Sequence, residues 1–180
     1  MKKLFVLLAF TGLSFILSPS LLAQEQAVGA GKTFYAELGG PGVLMSINWD
    51  MRFKPNTRLG FGYRAGIGFS IGDFVEDRGY YHDHVTRAYY TIPIGLNYIL
   101  GKPNSPSAFE IGAGVTLLTR ETSLFTYGED KSGFVIGHLA FMYRITPVNG
   151  GFSFRVGFTP VIGTSGDIFP MAGVSFGYVF

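Results

Sequence analysis

The chain has 180 residues, of which 47% are hydrophobic and only 14% charged, and it contains no cysteine. This length predicts a single domain, and the lack of cysteine excludes both disulfide bonds and a lipid anchor on cysteine. The formal net charge is +2 and comes from Lys2 and Lys3, which lie in the predicted signal peptide described next. Because the rest of the chain is electrically neutral, nucleic acid is not an expected partner.

The N-terminal segment has the parts of a secretory signal peptide. A basic start is followed by the uncharged, mostly apolar residues 4–17 and by a cleavage region that ends at Ala23. A retained transmembrane helix is the alternative, but this apolar core is shorter than the roughly 20 residues that span a bilayer. The chain is therefore predicted to contain a signal peptide at 1–23, a short leader at 24–32 and a folded domain at 33–180.

Residues 57–71 carry the clearest structural signal. Every second residue from Leu59 to Ile71 is apolar, and the residues between them are Gly, Ser or Arg. Such alternation predicts a β-strand. Its length exceeds the usual roughly 5–6 residues of a globular strand and suits a tilted strand that crosses a membrane. The apolar side is predicted to face lipid and the small side to fit inside a narrow barrel.

The rest of the chain repeats this pattern. Short connections alternate with longer polar ones, as in outer-membrane barrels, although the first outside connection is a short Gly-Gly-Pro-Gly turn. We predict an all-β fold, an eight-stranded antiparallel transmembrane up-and-down β-barrel. Besides 57–71, its strands are predicted at 33–39, 43–53, 86–100, 108–120, 133–145, 151–162 and 170–180, with long outside loops at 72–85, 121–132 and 163–169.

Two prolines interrupt predicted strands. Pro93 and Pro160 cannot donate a backbone hydrogen bond, and a closed barrel has no free edge where a missing donor would be tolerated. Local β-bulges are therefore expected at both positions.

The signal peptide, the eight alternating strands and the closing Phe-Gly-Tyr-Val-Phe sequence resemble the small outer-membrane barrels of the OmpA and OmpX type. The resemblance implies a monomer in the lipid of a Gram-negative outer membrane, delivered by periplasmic chaperones. It also implies a terminal signal that the barrel assembly machinery recognises, here formed by Val174, Phe176, Tyr178 and Phe180.

A secreted soluble barrel such as a lipocalin also has alternating strands. There the apolar face would line the inside, and the outside would be rich in charged and polar residues. A chain with 14% charged residues, largely in turns, cannot coat such a surface.

The predicted inward face carries most of the charges that lie within strands. Glu110, Arg144 and Arg155 fall at similar depth on three successive strands, which predicts a buried ion-pair cluster. Structural filling of the barrel is one interpretation. The other is a gated or narrow polar path, which the many inward glycines would support by leaving space. The remaining inward charges are Glu37, Asp50, Arg52, Arg64 and Arg87.

Histidines are few. The eight-stranded lipid A deacylases carry a serine nucleophile two residues after a histidine, but Ala140 follows His138 here, so a packed interior histidine is expected instead. His82 and His84 lie in the longest predicted loop beside Tyr80 and Tyr81. Two histidines at i and i+2 can point the same way on a strand and bind a metal, but two ligands are a weak signal. A solvated loop tip is expected, and the aromatic and charged mixture also suits a recognition surface.

These features predict a non-enzymatic integral outer-membrane protein without cofactors, with a structural or surface-interaction role through its loops and an unidentified loop ligand. A narrow pore or transporter for small solutes is the alternative. A lipid-modifying enzyme is a weaker one, because a nucleophile and base at workable spacing are lacking.

Overall fold

A computed structural model describes residues 31–77, 82–122, 133–164 and 166–180. No helix in this part of the chain is both long and apolar enough to cross a membrane. The described residues form one short 3-10 helix, Gly40–Gly42, and ten strand segments: β1 Lys32–Gly39, β2 Met45–Arg52, β3 Gly60–Asp77, β4 His82–Gly101, β5 Ser107–Thr122, β6 Gly133–Ile145, β7 Gly151–Phe158, β8 Val161–Ile162, β9 Ile168–Phe169 and β10 Ala172–Val179.

The strands close into a barrel. Neighbours along the chain pair antiparallel from β1 to β7, and β10 pairs with both β7 and β1. The short β8 continues β7 in the same register along β6, and it pairs with β9, which continues β10 in the same way. The ten segments therefore make eight strands of a closed antiparallel barrel, and the predicted fold class is confirmed.

Side chains alternate between the two faces of the barrel wall. Large apolar residues point outward, and Ile67 and Phe152 remain 69% and 72% exposed. Polar and charged residues such as Glu110 and Arg155 point inward and are buried. The apolar face is therefore the outer one, as the sequence predicts for a barrel in lipid and opposite to the soluble alternative.

Both termini of the barrel and its short connections lie at one end, here called the turn end. The opposite end, the loop end, contains the 3-10 helix and the β3–β4 hairpin. This hairpin is more regular than predicted. Most of residues 72–85 was expected to be loop, yet β3 and β4 remain paired from Gly72 opposite Arg87 to Asp77 opposite His82. Backbone hydrogen bonds hold such a ladder whatever the polarity of the side chains, which is why composition alone predicts a loop there.

The prediction of β-bulges at the two prolines was wrong. Pairing on both sides of Pro93 and of Pro160 keeps one register, so neither site contains an inserted residue. Pro160 still accepts a hydrogen bond from the backbone of Leu139 at 2.9 Å. Each proline therefore removes a donor without displacing the strand. The register shift between β5 and β6 lies elsewhere, between Leu117 and Thr122.

The first outside turn also differs from the prediction. The segment Gly40–Gly42 forms a buried 3-10 helix that folds into the barrel mouth. Val43 follows it with a positive φ of 74°. The strand predicted at 43–53 therefore begins later, at Met45, and before it Val43 packs inward while Leu44 is exposed. We call Gly40–Gly42 the inner turn.

Candidate functional site

The interior of the barrel contains the predicted cluster of charges. Glu110 on β5 lies at its centre. One carboxylate oxygen accepts a hydrogen bond from Nη1 of Arg144 on β6 at 2.9 Å, and the other accepts one from Nη2 of Arg155 on β7, also at 2.9 Å. The structure thus brings together the three residues that the sequence placed at similar depth.

Two residues of β2 extend this cluster. Nη1 of Arg144 also donates to Oδ2 of Asp50 at 2.8 Å, and the guanidinium of Arg52 contacts the other oxygen of Asp50. The result is an ion-pair chain that runs from Arg52 through Asp50, Arg144 and Glu110 to Arg155. Asp50 and Arg52 were predicted to face inward but not to join the cluster, because they reach it across the lumen.

An asparagine on β4 ties this chain together. Nδ2 of Asn97 donates to Glu110 at 3.2 Å and to Asp50 at 3.4 Å, while its Oδ1 accepts from Arg52 at 2.6 Å. All of these groups are buried. Removing one member of a buried ion pair leaves its partner uncompensated, at a cost of about 3–5 kcal/mol. The ion-pair chain therefore holds opposite walls of the barrel together.

Inward glycines lie close to larger side chains of neighbouring strands. A Cβ added at Gly95 would lie 3.2 Å from Nε2 of His138, and one added at Gly114 would lie 2.7 Å from the same atom. Likewise, a Cβ at Gly66 would meet the side chain of Asn48. Each glycine makes room for a larger side chain on a neighbouring strand, the complementary filling typical of small barrels.

The inner turn occupies the lumen towards the loop end. The hydroxyl of Thr91 on β4 donates to the carbonyl of Gly42 at 3.0 Å, and the hydroxyl of Thr116 on β5 donates to the carbonyl of Pro41 at 2.8 Å. These two bonds satisfy turn carbonyls that would otherwise be buried without a donor. The turn is therefore anchored to strands on the far wall.

The same threonine orients the strand histidine. Nδ1 of His138 lies 3.1 Å from Oγ1 of Thr116. Since the proton of Thr116 goes to Pro41, Nδ1 of His138 is the donor in this contact. His138 is buried, as expected for a packed interior histidine.

An apolar layer lies in the lumen near the loop end, in addition to the inner turn. It consists of four buried side chains with two partly buried residues, Val43 and Met171, packed against them. Buried apolar side chains oppose the passage of ions and water. The four members of the layer are Tyr89, Leu118, Ile136 and Val161.

Arg58 covers part of the turn end. Its guanidinium donates to the carbonyl of Thr146 at 2.7 Å and to those of Pro103 and Ser105 at 2.8 Å. Partial burial, and then the charge of Arg144, lower the pKa of Arg58 from its ordinary value. An arginine remains charged at physiological pH even so, so Arg58 ties two neighbouring connections together as a cation.

The remaining candidate residues that the structure describes are in or next to strands of the wall. Val174, Phe176 and Tyr178 are in β10, and Phe180 extends its pairing with β1 through a 3.0 Å bond from its backbone N–H to Lys32. His82 and His84 pair with Asp77 and Val75 on β3. Tyr80 and Tyr81 lie outside the described residues.

Neither the known protein families nor the curated proteins contain a match to this chain. Among solved structures, its fold is similar to the N-terminal β-barrel domain of Pseudomonas aeruginosa OprF. That match has a TM-score of 0.50 and 11% sequence identity, and it covers 83% of this chain and 95% of that one.

A second similar structure is Ail, the attachment invasion locus protein of Yersinia pestis, in complex with the heparin analogue sucrose octasulfate. It matches with a TM-score of 0.41 and 13% identity, over 83% of this chain and 99% of that one. At 11% identity, the likeness to the OprF domain is one of fold alone. The chain has the closed eight-stranded barrel fold that is predicted from its resemblance to the OmpA and OmpX type.

Proposed function

We propose that this chain is an integral protein of a bacterial outer membrane, without enzymatic activity, that acts through its outside loops and its structural presence in the membrane. The observation that carries this proposal is an apolar outer wall around a filled interior. A wall that exposes Ile67 and Phe152 needs lipid around it. The fold is similar to that of the N-terminal β-barrel domain of Pseudomonas aeruginosa OprF.

Biogenesis follows from this location. We infer that the signal peptide is cleaved near Ala23, that periplasmic chaperones carry the unfolded chain and that the barrel assembly machinery recognises its last strand. Recognition of the last strand is supported by its aromatic side chains, which are exposed on the outer face of the wall. The exposed fraction is 46–50% for Phe176, Tyr178 and Phe180. Once inserted, the barrel is a monomer whose partner is outer-membrane lipid.

The absence of enzymatic activity rests on the interior chemistry. His138 donates to Thr116, and the proton of Thr116 is engaged by the inner turn. Both side chains are buried, so lipid on the outer surface cannot reach them. Ala140 also offers no hydroxyl for the histidine to activate.

The β3–β4 hairpin is the proposed interaction surface. Pairing between β2 and β3 ends with Met45 opposite Phe69, whereas β3 and β4 remain paired as far as Asp77 opposite His82. A hairpin whose ladder extends beyond that of its neighbours is suited to contact other molecules. We propose that Tyr80, Tyr81, His82 and His84 contribute to recognition of an unidentified ligand there.

A narrow pore for small solutes is the rival function, since a charged lumen is its natural requirement. The side chains packed against the inward glycines and the apolar layer support a non-conducting barrel rather than a pore. The two functions predict opposite results in planar lipid bilayers.

The test uses the chain from residue 24 onward, refolded in detergent and judged folded by a heat-dependent shift on a gel. We expect no steady conductance after insertion into a planar bilayer. An epitope inserted between Tyr80 and Tyr81 should bind antibody on intact Gram-negative cells. Reproducible channels would replace the proposal with the pore, and an epitope reached only after cell lysis would refute the surface role.

A further inference from the structure

Four basic residues lie at the turn end of the barrel. Lys32 begins β1, Lys54 and Arg58 lie between β2 and β3, and Lys102 lies between β4 and β5. All three lysines are exposed. None of them forms an ion pair with a residue in the described part of the chain. We call these four residues the basic patch.

The two ends of the barrel differ in charge. The described connections at the turn end contain no Asp or Glu; they are residues 53–59, 102–106 and 146–150. At the loop end, acidic residues outnumber basic ones among the described residues, where Arg87 and Arg120 are accompanied by Asp73, Glu76, Asp77, Asp83, Glu121 and Asp167. A partner with negative charge is therefore matched to the turn end.

Backbone contacts hold the members of the basic patch close together. The guanidinium of Arg58 donates to the carbonyl of Lys102 at 3.4 Å, so it joins the two connections that contain Lys54 and Lys102. Lys32 pairs with Met51 of β2, three residues before Lys54. The four cations are therefore neighbours along one side of the turn end.

Three aromatic pairs border the basic patch on the outer wall, at ring-centre distances of 4.6–5.8 Å: Trp49 with Phe180, Phe53 with Tyr63, and Phe61 with Tyr98. Aromatic residues at the ends of membrane-spanning segments lie at the level of the lipid headgroups. A lysine beside them keeps its aliphatic stem along the apolar wall and places its ammonium group in water. The ammonium groups of the basic patch therefore lie at the level of lipid phosphates.

We propose that the basic patch binds the phosphate groups of anionic phospholipids in the leaflet around the turn end. This inference rests on the membrane location proposed above. Lys32 favours a lipid over a soluble polyanion, because it shares the outer face of the wall with Trp49, its diagonal neighbour across β1 and β2. A lysine near an anionic membrane surface strengthens binding about fivefold. The lipid that is preferred carries a net negative headgroup, as phosphatidylglycerol does, rather than a zwitterionic one.

The single tryptophan of the chain reports which lipid lies beside Lys32. The chain from residue 24 onward is refolded into vesicles that contain phosphatidylglycerol and phosphatidylcholine in one fixed proportion. Two preparations are compared, with bromine on the acyl chains of one lipid or of the other at the same mole fraction. Because the lipid composition is identical, a difference in quenching measures enrichment of one lipid at Trp49. We expect stronger quenching by brominated phosphatidylglycerol, with an enrichment of about fivefold.

Variants assign this enrichment to the lysine. Lys32→Gln should make the two brominated lipids quench equally, whereas Lys32→Arg keeps the charge and should retain the difference. Arg120→Gln removes an exposed cation at the loop end and should also retain it. Equal quenching of the wild-type chain by the two lipids would overturn the lipid preference and leave the membrane location intact. No quenching by either lipid would refute the membrane location and the lipid preference with it.

The other two lysines are tested together by native mass spectrometry of the barrel released from detergent that contains phosphatidylglycerol. The double variant Lys54→Gln, Lys102→Gln should bind this lipid about 25-fold more weakly than the wild-type chain, at about fivefold for each lysine. Lys54→Arg, Lys102→Arg is the matched control and should bind it as the wild-type chain does. Equal lipid binding by the two double variants would overturn the role of the turn connections.

Discussion

Thr116 and Pro41 are 75 residues apart in the chain, yet the threonine hydroxyl donates to the proline carbonyl at 2.8 Å in the buried mouth of the barrel. This bond joins β5 to the inner turn. Together with the bond from Thr91 to Gly42, it keeps the inner turn in the lumen. Two hydroxyl groups therefore anchor the inner turn at the loop end.

The double variant Thr91→Val, Thr116→Val keeps the shape of both side chains and removes both donors. Each lost bond should cost about 1–3 kcal/mol, because a buried carbonyl is left unsatisfied. We expect a lower midpoint of unfolding in urea and intermittent conductance in planar bilayers. Thr57→Val is the control, since Thr57 bonds only to the exposed carbonyl of Lys54. A double variant as stable and as silent as this control would contradict the anchoring role.

Glu110 and Glu37 provide a matched comparison of two buried carboxylates. Glu110→Gln removes the charge that faces both Arg144 and Arg155, so we expect a loss of about 3–5 kcal/mol in the free energy of unfolding. Glu37→Gln should cost less, because Glu37 makes one neutral hydrogen bond. Unfolding in urea from detergent micelles measures both. A larger loss for Glu37→Gln would show that the ion-pair chain is not the main polar contribution.

Glycines on the two faces of the wall should differ in their tolerance of alanine. At Gly114 an added Cβ would lie 2.6 Å from the backbone of Gly95 and 2.7 Å from His138. We expect Gly114→Ala to lower the free energy of unfolding by about 1–3 kcal/mol through overpacking. Gly137→Ala should be tolerated, because its Cβ would make an ordinary 3.5 Å contact with Ile162. Equal stability of the two variants would mean that the interior has spare room.

Replacement of the terminal aromatic residue should impair assembly in cells without changing the stability of the folded barrel. Phe180→Ala should reduce the amount of folded barrel in the outer membrane of living cells severalfold, while refolding in detergent stays nearly unchanged. Phe152→Ala is the control, since Phe152 is also an exposed aromatic residue on the outer face but lies outside the proposed signal. Heat-dependent mobility of membrane fractions on a gel measures both variants. Equal losses in cells would remove the assembly role from Phe180.

Strands and faces were the part of the fold that sequence could predict. Alternation is local, so β6 has the predicted bounds, Gly133–Ile145, and Glu110, Arg144 and Arg155 could be placed at one depth by counting across neighbouring hairpins. The ion pair between Arg144 and Asp50 could not be predicted by counting across hairpins. It depends on strand tilt and on the reach of Arg144 across the lumen, which no alternation of residues encodes.

The inner turn was missed for a related reason. A Gly-Gly-Pro-Gly sequence predicts a turn but not whether that turn projects outward or folds back into the barrel. Its signal was indirect: the first outside connection is short and uncharged while the others are long and polar. The inward glycines wrongly suggested empty space in the lumen. The space beside Gly114 is filled by His138 from a neighbouring strand.

The single tryptophan of the chain shows whether the apolar outer wall faces lipid. Trp49 lies on β2 with 37% of its surface exposed on the outer wall. The barrel is refolded into vesicles of phospholipids brominated on their acyl chains, and tryptophan fluorescence is compared with that in unbrominated vesicles. We predict strong quenching by brominated lipid and little quenching by aqueous iodide. Quenching by iodide without quenching by brominated lipid would place Trp49 in water and contradict a wall that faces lipid.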